Sequence, residues 1–221
     1  MAVLETFISI ETAQKLAKRL QKMSGERRQE IIRIGDTFGD PELLAKYYVQ
    51  PNCQHHNPAD YDEDEVRSPV YTPAFDSVNT FMSGDMPTRD GRTQLFVLSD
   101  AGMGKTSLLT MLKLTHLTSF WPQGYECILL KLGEDTLETI ETIENRSKKV
   151  LLLDALDEDP TAWDNIKNRL LDLLKATALF HRVIISCRTQ FFPEKELDPF
   201  GRPGQVRIEG FACPMLFVSP F

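Results

Sequence analysis

A glycine-containing segment that carries a lysine and a threonine follows the short apolar run LFVL at 95–98. Gly102 and Gly104 permit backbone dihedral angles that point successive N–H groups at one anion. The segment fits the phosphate-binding loop pattern, except that a serine stands where the first glycine is usual. We therefore predict that the following residues bind the phosphates of ATP or ADP: Ser99, Asp100, Ala101, Gly102, Met103, Gly104, Lys105, Thr106 and Ser107.

Two residues of this loop have distinct expected roles. Lys105 is placed to bridge β- and γ-phosphate oxygens, and the Thr106 hydroxyl is placed to be a ligand of Mg²⁺. The alternative is a turn between a strand and a helix that contains GKT by chance. The apolar run before the loop and the amphipathic pattern after it favour the phosphate-binding interpretation.

Three acids follow a second apolar run, VLLL at 150–153. Ligands of open α/β sheets bind at the carboxyl ends of the strands, so Asp154 is predicted to hold Mg²⁺ together with Thr106. Asp157 and Glu158 extend the acidic cluster, and one of them is predicted to polarise the attacking water as a general base. An ordinary polar strand end would explain the helix cap at Asp159 but not these three acids.

A third candidate catalytic residue, Arg188, follows the apolar run RVIISC at 182–187. If that strand lies beside the first one, the guanidinium emerges near the γ-phosphate and can stabilise developing charge there. The alternative is an exposed arginine at a strand end. The sequence leaves both open.

Strand and helix patterns alternate from residue 93 onward, which predicts an α/β fold: a P-loop NTPase core with a parallel sheet flanked by helices. Strands are expected at 95–98, 126–132, 150–156 and 182–187. A single helix is expected to open at Pro160, with Trp163 on its inner face together with Ile166, Leu170, Leu173 and Leu174. The stretch 205–220 is predicted to be irregular because glycine and proline punctuate it.

The first 90 residues have a different character. Residues 1–50 are predicted to be a small helical region, with helices near 12–23 and 26–34 and a third that Asp40 caps and Pro41 opens. Residues 51–90 are predicted to be a proline-rich acidic connector with a short helix, and 91–221 the NTPase core.

Composition excludes several classes of function. The 221 residues are 42% hydrophobic, which favours a folded chain, and the net charge of −7 makes nucleic acid an unlikely partner. No run of 18 apolar residues is present, so we expect a cytoplasmic protein with no membrane partner. The four cysteines are scattered, which argues against a disulfide framework, and Cys53, His55 and His56 lack the further ligands that a zinc site needs.

The segment from about 93 to 221 resembles a NACHT domain, a branch of the STAND class of P-loop NTPases. The resemblance rests on LFVLSDAGMGKTSLL, on VLLLDALDED with its small residue after the first Asp, and on RVIISCRTQFF. It implies a nucleotide-operated switch in which ADP holds a closed state and ATP allows opening. It also implies protein partners, whether a full-length relative, an effector or a sensor. In relatives, the segment that corresponds to Tyr71 to Phe75 borders the adenine of the nucleotide. Because the winged-helix segment of such proteins is not found before Phe221, we expect the core to be C-terminally incomplete.

Three functions follow from these expectations. The favoured one is a signalling switch, in defence or stress, with slow Mg²⁺-dependent ATP hydrolysis. The second is a regulatory module that binds nucleotide without hydrolysing it. The third is a small-molecule kinase, which would need a substrate lid with paired arginines. After Arg188 the sequence contains only Arg202 and Arg207 for such a lid.

Overall fold

The computed structural model describes residues 10–57, 71–84, 93–119 and 124–219, with side chains from residue 14 onward. The helices are α1 Ile10–Gln21, α2 Gly25–Phe38, α3 Pro41–Tyr47, α4 Ala74–Ser83, α5 Lys105–Thr118, α6 Thr136–Thr142, α7 Pro160–Asp164, α8 Ile166–Ala176 and α9 Glu194–Leu197. The strands are β1 Asn52–Gln54, β2 Thr72–Pro73, β3 Gln94–Ser99, β4 Glu126–Lys131, β5 Lys149–Asp154, β6 Arg182–Arg188, β7 Gln205–Ile208 and β8 Phe211–Ser219. Short 3₁₀ helices span Arg146–Lys148 and Leu156–Glu158.

The eight strands form a mostly parallel sheet in the order β2-β1-β8-β3-β6-β5-β4, with β7 paired to β8. Strand β3 pairs in parallel with both β8 and β6, and β6 pairs in parallel with β5. The register sets Ser99 opposite Arg188, so the loop after β3 and the end of β6 meet at one edge. The predicted α/β class is confirmed.

Helices cover both faces of the sheet, because its central strands are apolar on both sides. Leu95 and Val97 of β3 belong to one core cluster, which also holds α4 and α5. Phe96 and Leu98 belong to the other, which holds α6 and α8. Side chains alternate between the two faces along a strand, so a continuous apolar run is what a doubly covered strand requires.

Helices α1 to α3 pack on α5, the helix that follows the predicted phosphate loop. Leu20, Ile34 and Ala45 share a core cluster with Met111 and Leu114 of α5. The predicted cap is confirmed, since the Asp40 carboxylate accepts hydrogen bonds from the Glu42 and Leu43 N–H groups. The N-terminal helices therefore contact the element that begins at the loop. The predicted domain boundaries stay a prediction, and the acidic residues of the predicted connector, at 60–65, lie outside the described residues.

The prediction that 205–220 is irregular is wrong over the residues that the structure describes. Strands β7 and β8 form there, and the left-handed residues Glu209 and Gly210 make the turn between them. Pro214 lies in the part of β8 that pairs with β7, before the residues that pair with β3. Part of the predicted connector is also strand, because β1 pairs with β8 and β2 pairs with β1.

The single helix predicted from Pro160 is two helices. Asn165 has extended backbone angles between α7 and α8, and its side chain accepts a hydrogen bond from the Asn168 N–H group and so caps α8. The break turns Trp163 outward, where it is 70% exposed instead of facing the core. Leu170, Leu173 and Leu174 are buried as predicted.

No helix in the described part of the chain is both long and apolar enough to cross a bilayer. All four cysteines are free and buried. Among the described residues, no group of three or more His, Cys, Asp and Glu side chains is placed to hold a metal ion.

A buried ion pair between α7 and α8 gives the first testable prediction. Arg169 Nε lies 2.7 Å from Asp159 Oδ2, and both side chains are almost wholly buried. Arg169 also donates to the Gly133 carbonyl at 2.7 Å. Arg169→Met leaves the Asp159 carboxylate buried without its partner, so we expect the free energy of unfolding to fall by about 3–5 kcal/mol. Urea denaturation measures this.

Lys167→Met is the matched control, because Lys167 pairs with Glu196 at the surface, where both side chains are at least half exposed. Its effect should stay below about 1 kcal/mol. Equal losses of stability in the two variants would contradict the role given to the buried pair.

Candidate functional site

The loop after β3 lines a cavity of about 270 Å³ at the carboxyl edge of the sheet. Gly102 and Gly104 have φ angles of +78° and +81°, a region that side chains other than glycine rarely adopt. Helix α5 begins at the end of the loop, so the free N–H groups of its first turn lie at the cavity. The cavity is lined by Ala101, Gly102, Met103, Gly104, Lys105, Thr106, Ser107, Asp154, Ala155, Asp157, Glu158, Ser186 and Arg188.

The Lys105 ammonium is held by oxygens at the start of the loop. Lys105 Nζ donates to the Ser99 carbonyl at 3.1 Å, to the Ser99 hydroxyl at 3.0 Å and to the Asp100 carbonyl at 3.2 Å. The serine that replaces the usual glycine thus adds an acceptor for the lysine. Burial lowers the pKa of Lys105, while the nearby Asp157 carboxylate raises it. A bound anion would favour the charged lysine further.

Asp154, the last residue of β5, is fixed by two hydroxyl groups. Thr106 Oγ1 of α5 donates to Asp154 Oδ2 at 2.8 Å, and Ser186 Oγ of β6 donates to Oδ1 at 2.6 Å. Burial raises the pKa of Asp154, and these two hydrogen bonds oppose the rise. The two residues predicted to hold Mg²⁺ are therefore brought into direct contact.

The chain turns sharply after Asp154. Ala155 has a φ of +63°, which is left-handed, and its N–H group donates to Ser186 Oγ at 2.8 Å. A residue other than glycine in this conformation is strained, and such strain concentrates at functional sites. The turn starts the 3₁₀ helix at Leu156–Glu158, which returns both predicted acids to the cavity.

Asp157 holds Arg188 at the cavity. Arg188 Nε lies 2.6 Å from Asp157 Oδ2, and the Arg188 N–H group donates to Asp157 Oδ1 at 3.0 Å. The Asp157 side chain is only 6% exposed, whereas that of Arg188 is 49% exposed. The carboxylate is thus engaged on both oxygens, while the guanidinium still reaches solvent.

Glu158 is less constrained than Asp157. Glu158 Oε2 lies 2.9 Å from Lys131 Nζ, and both side chains are about half exposed. This contact raises the pKa of Lys131. Of the two candidate bases, Glu158 is therefore the one whose carboxylate is free to reorient.

Sequence reasoning did not find Ser186 or Lys131 as site residues. Ser186 carries the one hydroxyl group in the run RVIISC. A polar residue in a strand buried on both faces needs a hydrogen-bond partner, and this requirement could have indicated its role. Lys131 at the end of β4 is opposite Asp154 in the sheet register, which sequence alone does not reveal. Arg202 and Arg207, considered for a kinase lid, do not line this cavity in the described structure.

The strand order and the loop after β3 define a P-loop NTPase-like core. No family model matches the chain, and no curated protein matches it. Among solved structures, that of C. elegans PCH-2 is similar to it, with 15% sequence identity and a TM-score of 0.40. The match covers 65% of this chain and 41% of the PCH-2 chain, so it spans less than half of that protein's length. A likeness this weak does not transfer a function.

The raised pKa of Asp154 leads to a prediction about stability and magnesium. The folded protein binds the Asp154 proton more tightly than the unfolded chain does, so this group lowers stability as pH rises from the ordinary aspartate pKa through the raised value. Asp154→Asn removes the buried charge, and without Mg²⁺ we expect the free energy of unfolding at pH 7 to rise by about 0.5–2 kcal/mol. Thermal unfolding with ATP should then show no added stabilisation by Mg²⁺.

Asp172→Asn is the control, because Asp172 is an exposed acid on α8 and the substitution changes the net charge equally. It should leave both readouts unchanged. A Mg²⁺ effect in Asp154→Asn as large as in the wild type would contradict the assignment.

Proposed function

We propose that this protein is a NACHT-type NTPase that binds ATP or ADP with Mg²⁺, hydrolyses ATP slowly and acts as a nucleotide-dependent signalling switch. The observation that carries the proposal is the 2.8 Å hydrogen bond from Thr106 to Asp154 at the foot of a loop with two left-handed glycines. Backbone N–H groups, a helix N-terminus, a lysine and a hydroxyl–carboxylate pair together suit a magnesium-bound triphosphate.

The residues present fit Mg²⁺. This ion binds through few protein oxygens and keeps waters and phosphates as its other ligands, so Thr106 and Asp154 suffice as the protein side of the site. Mg²⁺ would neutralise charge on the β- and γ-phosphate oxygens. Lys105 would move from its three loop acceptors to phosphate oxygens, which offer it a full negative charge.

The acidic cluster suggests a division of roles in hydrolysis. Glu158 would accept the proton of the attacking water, since its carboxylate is half exposed at the cavity and is held by Lys131 alone among the described ion pairs. Asp157 would act as a positioning residue that aims Arg188 into the cavity, because both of its oxygens already contact Arg188. Arg188 would then stabilise charge on the γ-phosphate.

The signalling part of the proposal rests on the motif DALDED. In this motif, at 154–159, the small residue Ala155 adopts a left-handed conformation, and the turn brings Asp157 and Glu158 back to the cavity. This turn explains why a small residue follows the first aspartate. A switch of this type works with a protein partner, and the N-terminal helices that pack on α5 are a candidate route from the site to such a partner.

Lys105→Ala tests the nucleotide site. The substitution removes the charge-assisted contact to the phosphates, so we expect the Kd for Mg·ATP to rise about 10- to 100-fold, the range for loss of one hydrogen bond from a charged donor. Isothermal titration calorimetry with the whole chain measures the affinity. The control is Lys175→Ala, an exposed lysine in the last turn of α8. Equal affinity of wild type and Lys105→Ala would contradict the site.

Glu158→Gln tests hydrolysis. Because glutamine cannot accept the proton, we expect ATP to bind with wild-type affinity while phosphate release falls by about 100-fold or more. Lys131→Gln is the matched control, since it breaks the same ion pair but leaves the carboxylate in place. If both variants lose hydrolysis equally, the ion pair between Lys131 and Glu158 is required, and the role of Glu158 as general base is contradicted. Absence of phosphate release from the wild-type protein would favour the non-hydrolysing module.

A further inference from the structure

A second cavity of about 330 Å³ adjoins the phosphate site. One wall is the first turn of α5, where Thr106 and Ser107 line both cavities. The other wall is the corner between α2 and α3, from Phe38 to Tyr47. The Asp40 side chain caps α3 and so holds the backbone of this corner in place. We call this cavity the corner cleft. A ligand that places phosphates in the loop can therefore extend past Ser107 into a neighbouring space of ligand size.

A buried hydroxyl lines the corner cleft without a partner. Thr110 is 1% exposed, and its Oγ1 atom has no hydrogen-bond partner among the described residues. A threonine inside a helix ordinarily satisfies its hydroxyl by donating to the carbonyl four residues earlier. Buried side-chain oxygens without a partner are rare in folded proteins, and each one calls for a reason. A polar atom of a ligand seated in the cleft would supply that partner.

The other wall of the corner cleft is apolar and aromatic. Leu43 and Tyr47 of α3 line the cleft and are 56% and 64% exposed, so both side chains are accessible to a ligand there. The face of a tyrosine ring stacks on any nucleobase, and aliphatic side chains pack against the flat ring surface. The cleft thus combines a stacking wall with one hydrogen-bonding group, as sites for planar heteroaromatic rings do.

We propose that the corner cleft is the nucleobase subsite of the nucleotide site, in which Tyr47 stacks on the base and Thr110 hydrogen-bonds to its edge. The inference rests on the proposed function, because it needs the phosphates to lie in the adjoining loop. It places the base against α3, and the described residues that line the two cavities do not include Tyr71 to Phe75. The N-terminal helical region would then be part of the nucleotide site and would report on its occupancy.

The test compares Mg·ATP with Mg²⁺-bound inorganic tripolyphosphate, which carries the phosphates without a base. Calorimetry on the whole chain gives the Kd of each for the wild type, Tyr47→Ala and Thr110→Val. We expect Tyr47→Ala to raise the Kd for ATP about tenfold, as loss of a stacking partner does, and Thr110→Val about threefold or more. Neither should change the Kd for tripolyphosphate by more than about twofold, because loss of a stack or of a base-edge hydrogen bond leaves the phosphate contacts in place.

Tyr71→Ala tests the other position expected for the base, beside Tyr71 to Phe75, because Tyr71 is a similarly exposed tyrosine, at 52%, outside the corner cleft. The proposal predicts no loss of ATP affinity in that variant. Leu179→Ala is the control, since Leu179 is 71% exposed and lines neither cavity. It should leave both affinities unchanged. The proposal is overturned if Tyr47→Ala and Thr110→Val leave the ATP affinity intact, if they weaken tripolyphosphate equally, or if Tyr71→Ala alone weakens ATP. A wild-type protein that binds neither compound would overturn the proposed function itself, whereas tripolyphosphate binding with unaffected ATP binding in the variants would overturn only the base subsite.

Discussion

The carboxylate of Asp154 is the constraint on which the site depends. It is buried, and a buried carboxylate must be satisfied by hydrogen bonds or by a cation. Thr106 and Ser186 supply two hydrogen bonds, and they come from α5 and β6, so one side chain joins the ends of three elements. Any shift of the loop, of β5 or of β6 would leave this charge unsatisfied. The charge therefore fixes the arrangement of the site.

The order of the strands makes this contact possible. Because β6 lies between β3 and β5, the hydroxyl of Ser186 and the guanidinium of Arg188 are inserted between the loop and the acidic turn. The left-handed Ala155 then reverses the chain within one residue. Negative and positive groups consequently face each other across a small cavity. A phosphate ligand could bind the positive member of such a pair in place of the carboxylate.

Local patterns were enough to predict the central strands, the loop between β3 and α5 and the cap at Asp40, because each depends on a few adjacent residues. Long-range pairing was not predictable in the same way. Strand β8 has glycine and proline nearby, and its pairing with β3, β1 and β7 makes it a strand. Ser186 and Lys131 enter the site through the register of the sheet, and Asn165 divides a helix whose apolar spacing continues across the break. The contact of the N-terminal helices with α5 likewise required the structure.

Calorimetric titration of ATP into the wild-type protein, with Mg²⁺ and then with the Mg²⁺ chelated, tests the account most directly. Because Thr106 and Asp154 meet at the foot of the loop, the account predicts saturable heat with Mg²⁺ and an affinity at least about tenfold weaker without it. Identical titrations in the two conditions, or no heat in either, would contradict it.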